Sequence, residues 1–160
     1  MTKTTEDRVY EFIKAAVDAV TLTTPTPDSP LFNLEVHDHV FRKIKTEAGI
    51  RVGTASGELS PFEAETGWGE YNVELPLVIY CRITGTQKDD DNRTLASRKT
   101  ADIAKAIAAL FWDNASCDAA FRDTRIRNFV RGFDSLTQSD HFAVANLTLY
   151  VNEVGGSTGR

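Results

Sequence analysis

Val9, Phe12, Ile13, Ala16, Val17 and Val20 recur at the i, i+3, i+4, i+7, i+8, i+11 spacing that gathers side chains on one stripe of a helix, predicted over Thr5–Leu22. Thr4 followed by Asp7 has the form of a capping box, which satisfies the first free amides of such a helix. Pro25, Pro27 and Pro30 then force an extended connection. Phe32, Leu34 and Val36 alternate as in a strand, while Val36, Val40 and Ile44 also fit a helix; the strand is the favoured reading. Ile50 and Val52 open a further strand, and Gly53, Gly57, Pro61, Gly67 and Gly69 punctuate a long loop after it. Trp68 lies between two glycines of that loop, either packed beneath the folded-back chain or exposed as a contact anchor.

The clearest alternation follows. Tyr71, Val73, Leu75, Leu77, Ile79, Cys81 and Ile83 occupy every second position of a strand from Glu70 to Thr84. Drawn straight, those residues run about 50 Å at ~3.3 Å each, longer than the roughly 40 Å diameter of a domain of this size. The strand therefore bends at Pro76, which cannot donate to a sheet ladder, or its first half projects as a hairpin arm. Lys88–Asp91 reads as a turn into a second helix, from near Asn92 to about Asp113, with Ala96, Ile103, Ile107, Leu110 and Phe111 on one face. Trp112 falls on the other side, beside Arg98, Ala101, Lys105 and Ala108, a second patch suited to a further element or a neighbouring subunit. Two strands close the chain, Thr124–Phe133 and His141–Glu153, joined as a loose hairpin through Gly132 and Ser135–Asp140. In the first, strict alternation places Arg125, Arg127, Phe129, Arg131 and Phe133 on one side.

At 160 residues with 41% hydrophobic content the chain is long enough for one domain with an ordinary core, requiring neither metal nor disulfide. One domain is expected over residues 1–154, with 155–160 as a flexible, Gly-rich tail. The start lacks the stages of a secretory signal, and no apolar run reaches membrane-span length, so export and membrane insertion are not expected. The net charge of −5 is concentrated: Val52–Cys81 contains no Lys or Arg, but does contain Glu58, Glu63, Glu65, Glu70 and Glu74. Arg122, Arg125, Arg127 and Arg131 against Asp123 make a basic block of +3. Both segments read either as solvated faces or as surfaces that meet between subunits.

Candidate chemistry is sparse. His37 and His39 flank Asp38 in strand-like alternation, and His141 is the one other histidine; with no further ligand at a known spacing, polar surface histidines are the favoured reading. Asp89–Asp91 lacks the spacing of a calcium loop and suits a helix start. Cys81 sits on an apolar strand face, and Cys117 has no motif partner. Phosphate-loop, dinucleotide and nucleophile-elbow motifs are missing, so no catalytic residue, metal or cofactor is expected. Arginines beside Phe129 and Phe133 suit nucleic acid, but an overall acidic domain of pI about 5.2 argues against specific binding.

The succession of helix, proline-rich connection, long strand, helix and two closing strands resembles the tail terminator (tail completion) proteins of long-tailed bacteriophages. The likeness runs from about Thr5 to Val154 and rests on the Val9–Val20 helix, the Glu70–Thr84 strand, the Ala96–Phe111 helix and the Phe142–Val151 strand. It implies an α/β (α+β) fold: a mixed, mostly antiparallel sheet of about four to five strands, two main helices, and a long projecting hairpin or loop. It further implies a non-enzymatic virion protein, assembled in the host cytoplasm, that forms a ring, hexameric in that family, on the tail tube. Such a ring ends tube polymerisation and offers the head a docking surface. The implied partners are further copies of the chain, the tail tube protein and a head completion or connector protein, with DNA free to pass through the ring. Head–tail joining proteins of similar architecture are the alternative, and a small metal-dependent enzyme a more distant one. The residues singled out for subunit or partner contact are Glu58, Glu63, Glu65, Trp68, Glu70, Glu74, Trp112, Arg125, Arg127 and Arg131.

Overall fold

Thr4 caps the first helix as its sequence predicts: its Oγ1 accepts from the Asp7 amide, and Asp7 Oδ2 accepts from the Thr4 amide. In the computed structural model, which describes residues 3–38, 47–59, 70–84, 89–114, 117–118, 121–135 and 140–154, this helix α1 spans Thr5–Asp18. It buries Val9, Ile13 and Val17 and continues as one π-helical turn, Ala19–Thr23. The Pro-rich segment then closes on Asn33, whose backbone takes φ 57°, a conformation asparagine tolerates, and whose amide donates to Thr21 Oγ1.

Among the described residues, six strands and two α-helices follow the α+β plan. The strands are β1 (Glu35–His37), β2 (Ala48–Val52), β3 (Ser56–Leu59), β4 (Glu70–Thr84), β5 (Phe121–Ser135) and β6 (Asp140–Val154). Helix α2 spans Asp89–Asp113. The sheet runs β1-β2-β4-β6-β5, with β3 beside β2 on the same flank of β4. Only β1 and β2 pair in parallel; the other pairs are antiparallel. The sheet is thus mixed and mostly antiparallel, and its strands number more than the four to five expected.

β4 is the axis of the sheet. It pairs with β6 without a break from Glu70↔Val154 to Thr84↔Asp140, so Pro76 introduces no bulge. On its other flank β2 covers Leu77–Cys81 and β3 covers Tyr71–Glu74. Pro76 falls in the gap between these two short strands, where its missing amide removes no ladder bond; its carbonyl still accepts from Gly53. A side chain at Gly53 would press into the Pro76 ring, and one at Gly57 would overlap the backbone of Asn72 and Val73. These glycines allow the chain to close on the β4 flank.

Both helices pack on the face that carries Val73, Leu75, Leu77, Ile79 and Cys81 of β4 and Ala145, Leu147, Leu149 and Val151 of β6. Ile103, Ala104, Ile107 and Phe111 of α2 complete the core with the α1 stripe, and the rings of Phe12 and Phe111 meet at 5.2 Å between centroids. Two contacts from the first turns of α1 fasten distant loops. Glu6 Oε1 accepts from the Ala55 amide at 2.7 Å, and Arg8 pairs with Asp118 at 2.7 Å.

Several boundaries differ from expectation. Phe32 and Leu34 lie outside β1, and a short strand, β3, stands within the segment expected to be one long loop. Gly132 lies inside β5, opposite Val144, and α2 begins at Asp89, so the three aspartates occupy its first turn, where the helix dipole favours them. Residues 155–160, expected to be a flexible tail, lie outside the described residues.

Candidate functional site

The expected one-sided row on β5 does not form. Thr124, Arg125 and Ile126 are registered with Val151, Tyr150 and Leu149, but the register shifts between Ile126 and Asn128. Beyond the shift Phe129, Arg131 and Phe133 stand opposite Leu147, Ala145 and Ala143. Residues directly opposite in an antiparallel pair share a face, so Arg125 belongs to the open face of the sheet, while the positions of Arg131 and the two phenylalanines belong to the helix side. The cause is a β-bulge, in which one extra residue flips the parity of all that follow. Arg127 is that extra residue, and Arg122 is left over in the same way between Phe121 and Asp123.

Two of the residues singled out for contact are brought into one row. Glu74 is registered with Tyr150, and Tyr150 with Arg125, which places Glu74 and Arg125 two strands apart, about 10 Å, on the open face of one subunit. Ser56 extends the row beyond Glu74. In the next row of that face Glu58 stands opposite Asn72, whose Oδ1 accepts from Tyr150 Oη at 2.6 Å and Asn152 Nδ2 at 2.7 Å. Glu70 ends β4 opposite Val154. Glu63, Glu65 and Trp68 lie outside the described residues.

Trp112 stands apart from these. It sits at the last turn of α2 with 86% of its surface exposed, next to the fully buried Phe111, and Arg98 and Lys105 on its side of the helix are exposed as well. Its large apolar surface in water suits a contact anchor. Trp112→Ala should shift the urea unfolding midpoint by less than the equivalent of about 0.5 kcal/mol; a larger loss would place the indole in the fold's own packing.

His37 corrects the reading of surface histidines, because it is only 9% exposed. Its Nε2 lies 2.9 Å from Glu35 Oε2, to which Tyr80 Oη donates at 3.2 Å, and the His37 and Tyr80 rings lie 6.3 Å apart. The cluster is assembled across three strands: Glu35 is registered with Gly49 and Gly49 with Tyr80, and a side chain at Gly49 would overlap the Tyr80 ring. Burial, then the charge and hydrogen bond of Glu35, push the Tyr80 hydroxyl well above its ordinary value, so it stays protonated and holds the β1 edge. His39 lies outside the described residues, and His141 stands at the start of β6, opposite Ile83. Among the described residues no three His, Cys, Asp or Glu side chains are placed to hold a metal ion.

Both thiols are pushed up to about 11, chiefly by burial, Cys81 on the core face of β4 and Cys117 before β5. An unfolded thiol titrates near 9.0, so between about pH 9 and 11 the unfolded chain releases protons that the folded chain retains. Stability is therefore fully present below that window and falls as pH rises through it. Cys81→Ala should flatten this slope in urea titrations run at stepped pH; an unchanged slope would remove the thiol as its source.

No helix of the described residues is long and apolar enough to cross a membrane. No protein-family model matches the chain, and no curated protein matches it.

Proposed function

We propose that this chain is a structural assembly protein that closes with copies of itself into a ring at the end of a phage tail tube, stopping tube growth and presenting a docking surface to the head. The observation that carries this reading is the asymmetry of the sheet. One flank ends in the fifteen-residue strand β5 with its arginines, the other in the short strands β1 and β3 beside the acidic segment. A ring needs two different surfaces of one subunit that fit each other, and this subunit ends in a long strand bearing arginines on one flank and in short strands, one of them carrying Glu58, on the other. Its partners on this reading are its own copies, the tail tube protein and a head completion or connector protein, and its location is the virion.

Negative-stain images of the purified protein should show closed rings that also decorate the exposed ends of tail tubes. A persistent monomer that ignores tube ends would overturn the reading. Tails of normal length that fail to join heads, in a host lacking the protein, would move its action to the head–tail joint.

A further inference from the structure

Resting on the ring reading, we infer which edges meet: residues Asn128–Ser135 of β5 in one copy add antiparallel to β3, Ser56–Leu59, of the next. Among the described residues β5 has β6 as its one strand partner, and β3 has β4. A sheet edge offers a row of backbone donors and acceptors, which proteins either blunt or use. β5 does both. Its bulges at Arg122 and Arg127 interrupt the first part of the strand, whereas the register from Asn128 to Ser135 runs unbroken. At the start of that regular stretch the Phe129 amide already donates to Asn128 Oδ1 at 2.8 Å, but the side chains of Phe129 and Val130 are 45% and 54% exposed, apolar surface on an edge that a neighbouring strand would cover.

Strand directions narrow the mate to β3 or β1, and the one carboxylate of β1, Glu35, is already held by His37 and Tyr80, which leaves β3. β5 is antiparallel to β6 and β6 to β4, so β5 runs parallel to β4, and both β3 and β1 run antiparallel to β5. Rotation about an axis close to the strand direction therefore brings the far flank of one copy to the β5 edge of another with a single antiparallel sense. Within one subunit β3 lies level with Phe121–Arg125, so pairing with Asn128–Ser135 requires a stagger along the strands, as closing any sheet into a ring does. Charge separates this contact from self-pairing of β5. Two antiparallel copies of β5 centred on Phe129 would set Arg127 against Arg131, like charge on like, whereas β3 brings Glu58 from a segment without a single basic residue.

The test is crosslinking of full-length protein with a short bismaleimide, using Glu58→Cys and Val130→Cys, separately and together. The double variant should give a covalent ladder of dimers, trimers and higher species; an equal mixture of the two single variants should stop at dimers. Wild type treated alike reports any background from its two buried or half-buried thiols. Self-crosslinking of Val130→Cys alone would overturn the inference in favour of β5–β5 pairing. Rings visible by microscopy without a ladder would overturn the edge assignment and leave the ring reading standing, while a monomer throughout would remove both. Hydrogen exchange on wild type probes the same pairing without a variant: amides of Asn128–Ser135 and Ser56–Leu59 should exchange at least tenfold more slowly in rings than in dilute subunits, and unchanged rates in rings would overturn the pairing.

Discussion

Replacing Phe111 by alanine should lower the unfolding free energy by about 3–5 kcal/mol, the range for emptying a large aromatic site in a packed core. Among the described residues Phe111 is the largest fully buried side chain, 1% exposed, and it serves two contacts at once. It belongs to the layer that α2 lays on the sheet, and its ring meets Phe12 of α1 at a tilt of 51°. The tilted aromatic pair adds about 0.5–1.5 kcal/mol beyond burial. Against a total stability of roughly 5–15 kcal/mol, that loss leaves the fold marginal. For a domain of this size each kcal/mol moves the melting temperature by about 2–4 °C, so a drop of about 10 °C is expected. Urea unfolding followed by circular dichroism, at concentrations below self-association, checks this without mass-action stabilisation. A loss under about 1 kcal/mol would mean that the helices are not seated as described. Trp112→Ala, one residue further on, is the control, since its side chain adds nothing to that core.

That two neighbours in one helix differ so sharply was legible in the sequence, because helical periodicity assigns Phe111 and Trp112 to different sides before any partner is known. The same holds for Val9, Ile13 and Val17, for the Thr4–Asp7 cap, and for Val73, Leu75, Leu77, Ile79 and Cys81 of β4, which lie where periodicity places them. What escaped was set by partners distant in the chain. β3 has four residues, two of them polar and one a glycine; it is a strand because Gly57 can lie against the β4 backbone, which no local pattern records. β1 has three residues and depends on parallel pairing with β2. His37 is buried because Glu35 and Tyr80 close on it from β1 and β4, partners that its place beside Asp38 does not reveal.

The bulge in β5 left a faint mark. Inward positions change parity, from Thr124 and Ile126 to Phe129 and Phe133, but Val130 keeps the old phase and hides the change. Strict alternation therefore carries Arg125, Arg127 and Arg131 onto one side, and a single unpaired residue separates them. The arginine positions are therefore divided between the two sides of β5 and do not form one basic face.

Reversing Arg125, Arg127 and Arg131 together to glutamate should weaken self-association about 100-fold, or roughly 2.7 kcal/mol, while shifting the urea midpoint little. Each reversal changes the charge by two units, so the triple variant goes from −5 to −11 and, on the proposed ring, sets like charge against the acidic segment of the next copy. Sedimentation velocity across a salt series is the measurement, because charge contacts at the rim weaken as salt screens them. The bulge adds a finer expectation. Arg125 shares a row with Glu74 of its own subunit, about 10 Å away and so near one Debye length at ~0.1 M salt, and at low salt part of its charge is balanced there. Arg127 immediately precedes the regular part of the edge and Arg131 lies within it, and neither belongs to that row. The double reversal of Arg127 and Arg131 should therefore reproduce most of the loss of assembly, and Arg125→Glu alone only a minor part. The reverse order would place the contact on the open face of the sheet, and unchanged assembly in the triple variant would return both charged segments to solvated surface.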